Sequence, residues 1–76
     1  MKLFTGKFCM PCKILKQWLE ENNIKVEEIL ADDNMDEVER LNIKQTPTLV
    51  LDDETIIAGK DNIEEYFEGV LNDEWW

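Results

Sequence analysis

Histidine is missing from this chain, and cysteine occurs only twice, at Cys9 and Cys12. A structural zinc site takes about four nitrogen, sulfur or carboxylate ligands. The two cysteines therefore supply half of one, and only a site shared between molecules or completed by carboxylates stays open. Also missing is any apolar run near the roughly 20 residues that cross a bilayer, and the opening MKLFTGKF lacks the apolar stretch of a secretory leader. The expectation is a soluble chain in the cytoplasm, with no membrane partner. Internal repeats, linkers and low-complexity stretches are absent too. At 76 residues there is room for one small core, so residues 1–76 read as a single domain, expected as a monomer.

Acids are absent from residues 1–19, which carry Lys2, Lys7, Lys13 and Lys16. From Glu20 onward come all eighteen acids and only four bases, for a net charge of −10. Such a charge argues against nucleic acid as a partner, because a polyanion is repelled. Two readings of the segregation remain. It reflects ordinary solvated helix faces, or it places the cysteines in the one electropositive part of an acidic protein, where thiolate is favoured over thiol.

What is present alternates between strand and helix signals. KLFT (2–5) is β-prone and Gly6 punctuates its end. From Pro11, whose missing N–H costs nothing in a first helical turn, Ile14, Leu15, Trp18 and Leu19 make one apolar stripe. Asn22-Asn23 ends that helix, and the alternation in IKVEEIL (24–30) predicts a strand. Asn34 with Glu37 resembles a capping box ahead of a short helix with Met35, Val38 and Leu41 on one face. TLVL (48–51), the tight loop DDE (52–54) and TIIA (55–58) read as a hairpin closed by Gly59. Asp61 with Glu64 repeats the cap signature before a helix carrying Ile63, Tyr66, Phe67, Val70 and Leu71. The order is β-α-β-α-β-β-α. It predicts an α/β fold, a four-stranded mixed sheet with helices on both faces, its first β-α-β unit a right-handed parallel crossover.

On this map Cys9 falls just before the first helix and Cys12 in its first turn. Free N–H groups and the positive end of the helix dipole meet there, and they stabilise negative charge on Cys9. Lys7 and Lys13 add to this at longer range. A free thiol with a pKa of about 8.5 is lowered by one to several units in such places. Cys9 is then the nucleophile and Cys12 the group that resolves a mixed disulfide. Against this stand the shared zinc site and a purely structural disulfide, although a cross-link over so short a loop removes little entropy from the unfolded chain. The pairing of C-x-x-C with a β-α-β pattern favours redox chemistry.

Cys9-Met10-Pro11-Cys12 at the first helix and Gln45-Thr46-Pro47-Thr48 before the third strand together resemble the thioredoxin-fold redoxins. By length and strand order the chain is similar to a small glutaredoxin-like protein, over essentially all its residues. The resemblance implies a thioredoxin fold and a cis peptide bond before Pro47, facing the cysteines. Thr46 would then offer its backbone to an extended substrate in the manner of strand addition. It also implies a substrate site that includes Lys7, Phe8, Met10, Pro11, Thr46, Pro47, Gly59 and Asp61. Proline stands second in the motif, as in thioredoxins, whereas glutaredoxins usually have it first. Phe8 replaces the tryptophan that thioredoxins carry before the first cysteine, and Leu3 replaces their buried aspartate. Only half of the Gly-Gly-acidic element of glutathione-binding relatives survives, as Gly59-Lys60-Asp61.

The activity implied is that of a thiol–disulfide oxidoreductase, an enzyme with no bound cofactor and no metal. It would reduce disulfide-containing proteins or glutathione mixed disulfides. Glutathione or a thioredoxin-reductase-type flavoenzyme would resupply electrons, and ribonucleotide reductase is a candidate recipient. A non-catalytic interaction module is the alternative, docking through its acidic surface and Trp75-Trp76, which otherwise cover an edge of the core. Asp52, Asp53 and Glu54 crowd three acids, and a solvated turn explains them better than a cation site does.

Overall fold

Alternation assigns the two faces of the sheet. In the computed structural model, which describes residues 1–73 with side chains as far as Val70, β1 (Lys2–Thr5) lies between β2 (Glu27–Leu30) and β3 (Thr48–Val50). β4 (Ile56–Ala58) forms the far edge, for a strand order β2-β1-β3-β4. β1 runs parallel to β2 and antiparallel to β3, and β3 and β4 form the hairpin. The mixed four-stranded sheet and the predicted element order are both present.

Leu3 opposes Leu49 across the β1–β3 ladder. Both point into a core completed by Leu15 and Leu19 of α1 (Met10–Glu21) and by Ile63 and Phe67 of α3 (Lys60–Asp73). Phe4 and Val50, one residue out of phase, point to the other face. There they meet Leu41 and Ile43 at the end of α2 (Met35–Arg40), with Val38 and Ile29 around them. Helices thus cover both faces, two on one side and one on the other.

Both α1 and α2 stop in the same way. Asn23 and Asn42 adopt left-handed backbone, with φ of 57° and 58°. Their N–H groups bond to Glu20 and Glu39 carbonyls, and the next N–H, of Ile24 or Ile43, reaches back to Leu19 or Val38 at 2.9 Å. This is the Schellman closure, in which an apolar residue beyond the cap folds back onto the helix. Asparagine is among the few residues that adopt this backbone at low cost.

Several local expectations are corrected. The strand predicted over 24–30 begins only at Glu27, because Ile24 is occupied in closing α1 and the ladder starts opposite Lys2. Asn34 does not cap α2 with its side chain; its amide donates to the Leu30 carbonyl at 2.9 Å, bracing a single 3-10 turn at Ala31–Asp33. Asp61 is not a cap either. The first helical bond of α3 runs from Ile63 N–H to the Gly59 carbonyl, so Gly59, with φ of 94°, holds the cap position and Asp61 lies inside the first turn.

Ile14, Met35 and Val70 are exposed rather than part of the core. Leu15 and Leu19 define the inward line of α1, and Ile14 sits about 100° away from it. Val70, in the last turn of α3, is 44% exposed. The expectations for Leu71, Trp75 and Trp76 fall outside the described side chains.

Candidate functional site

The site forms where β1 ends and α1 begins. Cys9 is the N-cap of α1 with extended backbone, and its Sγ accepts the Cys12 N–H at 3.2 Å. The Lys13 N–H bonds to the Cys9 carbonyl at 3.3 Å and closes the first turn, within which Pro11 sits. The two cysteines are joined in a disulfide, with Cα atoms 5.2 Å apart. Cys9 is half-buried, whereas Cys12 is 2% exposed. One sulfur therefore faces the approach side and the other sits behind it. No acid occupies the first turn of α1 to oppose charge on Cys9.

A second wall comes from the segment before β3. The Thr46–Pro47 peptide bond is cis. The Pro47 carbonyl is held by the Gly59 N–H at 2.9 Å, and the Thr48 hydroxyl donates to the Gln45 carbonyl. Gly6 makes room for this wall. A Cβ added there would lie 3.3 Å from Thr46 Oγ1 and 3.5 Å from the Cys9 Cβ. Beside it runs a shallow groove of about 400 Å³, lined by Pro11, Thr46, Pro47 and Gly59, together with Asp61 and Asn62 at the start of α3.

The structure thus divides the sequence-predicted residues into two groups. Pro11, Thr46, Pro47, Gly59 and Asp61 share the groove, with Asp61 extending into solvent and paired to Lys60 at 3.4 Å. Lys7, Phe8 and Met10 lie outside it, exposed around Cys9. Phe8 is 96% exposed. The Lys7 N–H, not its ammonium, makes the contact from this loop, donating to Asp32 Oδ2 at 3.4 Å. Lys60 is raised above its ordinary value by its hydrogen bonds to Glu64, with Asp61 adding to the effect. Asp53, by contrast, is lowered by its bonds to Thr55, as befits an acid organising the hairpin turn.

Two contributors escaped the sequence reading, Gly6 and Asp32. Gly6 had one legible signal, a glycine three residues ahead of the first cysteine. Asp32 acts across 25 residues, its carboxylate accepting the Lys7 N–H, a pairing that sequence spacing does not display. Among the described residues, no group of three acids, cysteines or histidines is placed to hold a metal ion.

Comparison with known proteins agrees with this architecture. The chain matches the family described as "Thioredoxin domain" over residues 1–72. No curated protein matches it in sequence. Among solved structures, the thioredoxin-like protein BC3987 is 31% identical with a TM-score of 0.71, the match covering 88% of this chain and 94% of that one. A single-substitution variant of the same protein gives 31% identity and a TM-score of 0.70, over 88% and 93% of the two chains. A close cysteine pair at a helix N-terminus on this fold supports a thiol–disulfide redox role. Among the described residues, no helix is long and apolar enough to cross a membrane.

Proposed function

Because the chain belongs to the thioredoxin-domain family, we propose that it is a glutaredoxin-like thiol–disulfide oxidoreductase working through Cys9 and Cys12. The observation that carries this is the asymmetry of the pair: Cys9 half-buried at the helix cap, Cys12 behind it with its N–H directed at the Cys9 sulfur. In the reduced protein, that N–H and the helix dipole stabilise a Cys9 thiolate. The thiolate attacks one sulfur of a substrate disulfide. A mixed disulfide forms and the other substrate sulfur leaves as a thiolate, taking a proton from solvent. Cys12 then attacks Cys9, releasing the second substrate thiol and leaving the intramolecular disulfide.

The groove supports glutathione as the reductant. Of the first N–H groups at the start of α3, that of Ile63 is used by Gly59. Those of Lys60, Asp61 and Asn62 precede it at the helix N-terminus, where carboxylates are favoured. Two electrons from two glutathione molecules then return the pair to the dithiol. Pro11 in second place, and a solved relative named thioredoxin-like, favour a second reading in which a thioredoxin-reductase-type flavoenzyme supplies the electrons. Under either reading we place the protein in the cytoplasm as a monomer that reduces disulfide-bearing proteins, ribonucleotide reductase among the candidates.

The deciding experiment is turnover of a disulfide substrate with glutathione and glutathione reductase against turnover with a thioredoxin reductase. Turnover with the glutathione system is expected. Turnover with the flavoenzyme alone would replace the glutaredoxin reading with the thioredoxin one. Full activity in Cys9→Ser would remove both.

A further inference from the structure

Disulfide exchange uses the two cysteine sulfurs and leaves a third sulfur beside them unused. Met10 directly follows Cys9, opens α1 and is 62% exposed. Ile14, one helical turn along the same face, is 51% exposed, and Phe8 on the other side of Cys9 is almost entirely so. Met10 is therefore central to an apolar rim around the nucleophile. A substrate segment flanking its own disulfide would rest on that rim.

While Cys9 and Cys12 are paired, neither sulfur is a thiolate, and oxidants find no reactive thiol at the site. The thioethers of Met1, Met10 and Met35 remain oxidisable. Met10 is the most exposed of them; Met35 is 52% exposed and Met1 less. We propose that Met10 is a modification site for hydrogen peroxide, and that its sulfoxide weakens docking of protein disulfides at Cys9. This rests on the disulfide-exchange reading above.

The step balances without any further reactant. A lone pair of the Met10 thioether sulfur attacks one peroxide oxygen, an S–O bond forms and the O–O bond breaks. Sulfur loses two electrons, and the second peroxide oxygen leaves as water after proton transfer. The product is a polar sulfoxide in the middle of apolar ground, and it must be desolvated before a substrate can dock. The Cys9 sulfur and its helix cap are unchanged, so a disulfide too small to need the rim still reacts.

The test uses the full chain in its disulfide form. It is treated with hydrogen peroxide, mapped by peptide mass and reduced, then assayed on insulin and on a small aromatic disulfide. One oxygen is expected on Met10 ahead of Met35. The insulin kcat/KM should fall about five- to tenfold, and the small-disulfide rate should change less than about twofold. In Met10→Leu, the ratio of insulin rates after and before peroxide should stay near one, and in Met35→Leu the loss should persist. A methionine sulfoxide reductase should restore the wild type. The proposal is overturned if Met35 is converted while Met10 is not. It is equally overturned if Met10→Leu loses as much as wild type, or if both substrates slow together. Should the untreated protein exchange with neither substrate, the disulfide-exchange reading fails and takes this one with it.

Discussion

Gly6 and Thr46 stand so close that a methyl group on the glycine would come 3.3 Å from the threonine Oγ1. The contact joins the loop that carries the nucleophile to the wall that carries Pro47. Its absent side chain is what allows Cys9 and the groove to share one site. For Gly6→Ala we expect kcat/KM on a protein disulfide to fall about three- to tenfold through misplacement of the two walls. Stability should stay within about 1 kcal/mol of wild type, because alanine also restricts the unfolded chain and this offsets the crowding. Steady-state rates and a urea titration on the same preparation check both parts. Unaltered kinetics would mean that the spacing does not matter.

Cys12→Ser separates attack from resolution. The variant keeps the N–H that faces Cys9 Sγ but loses the second sulfur. A mixed disulfide with the substrate should accumulate, visible as the summed mass. Turnover that needs the second thiol should drop at least about a hundredfold. If turnover persists without an accumulated adduct, an external thiol resolves Cys9 and the buried cysteine is dispensable.

Leu3 stands where the resembling thioredoxins carry a buried aspartate, so it tests whether an acid there would speed proton transfer. It is fully buried, surrounded by Leu15, Leu19, Leu49, Ile63 and Phe67. Leu3→Asp would place a carboxyl among apolar side chains. We expect a loss of about 3–5 kcal/mol in stability and no gain in rate, since nothing apolar can pair with the charge. Denaturant unfolding gives the first quantity and single-turnover exchange the second. A faster, equally stable variant would show that this fold tolerates the acid and that only its absence limits proton transfer here.

Acid sensitivity should trace in part to α2. Arg40 reaches Glu37 and Glu54 at 3.0 Å each, tying the helix to the hairpin turn. Its hydrogen bond holds the Glu37 carboxyl below the ordinary value of 4.5. A depressed folded-state pKa means that the contribution is complete above the unfolded value. It fades as pH falls below 4.5 and through the lower folded value. The urea midpoint of wild type should therefore exceed that of Glu37→Gln at about pH 6, and the gap should close in acid. Being exposed, the pair should also weaken with added salt. A gap that grows as pH falls would contradict the assignment.

The sequence announced the order of elements because each signal was local and repeated. Leu15, Trp18 and Leu19 recur at helical spacing, and Leu3 and Leu49 alternate with Phe4 and Val50 as strands require. Prediction failed where one residue had two eligible roles. Ile24 fits a strand alternation, yet the chain uses it to close α1. The same asparagine–isoleucine step recurs at Asn42-Ile43, so a repeat of two residues held the information that periodicity missed. Asn34 and Asp61 have capping chemistry, but Asn34, although at the cap position of α2, gives its amide to the Leu30 carbonyl, and α3 starts at Lys60, ahead of Asp61. At the site, the cysteines and Thr46-Pro47 were legible as motifs. The division of the other residues between a groove and an exposed rim was not, because it depends on how β3 and α3 meet α1.

The position of β1 in the middle of the sheet has a consequence for biosynthesis. The strand leading into the cysteine motif is made first, yet β2 begins only at Glu27 and β3 at Thr48. Pro47 follows Cys12 by 35 residues, or about 2 to 7 s of translation at about 5–20 residues per second. During that interval a residue later hidden to 2% exposure has no β3 or α3 to pack against. The shielding of Cys12 is thus a property of the completed sheet, acquired only after the chain has extended well past the motif.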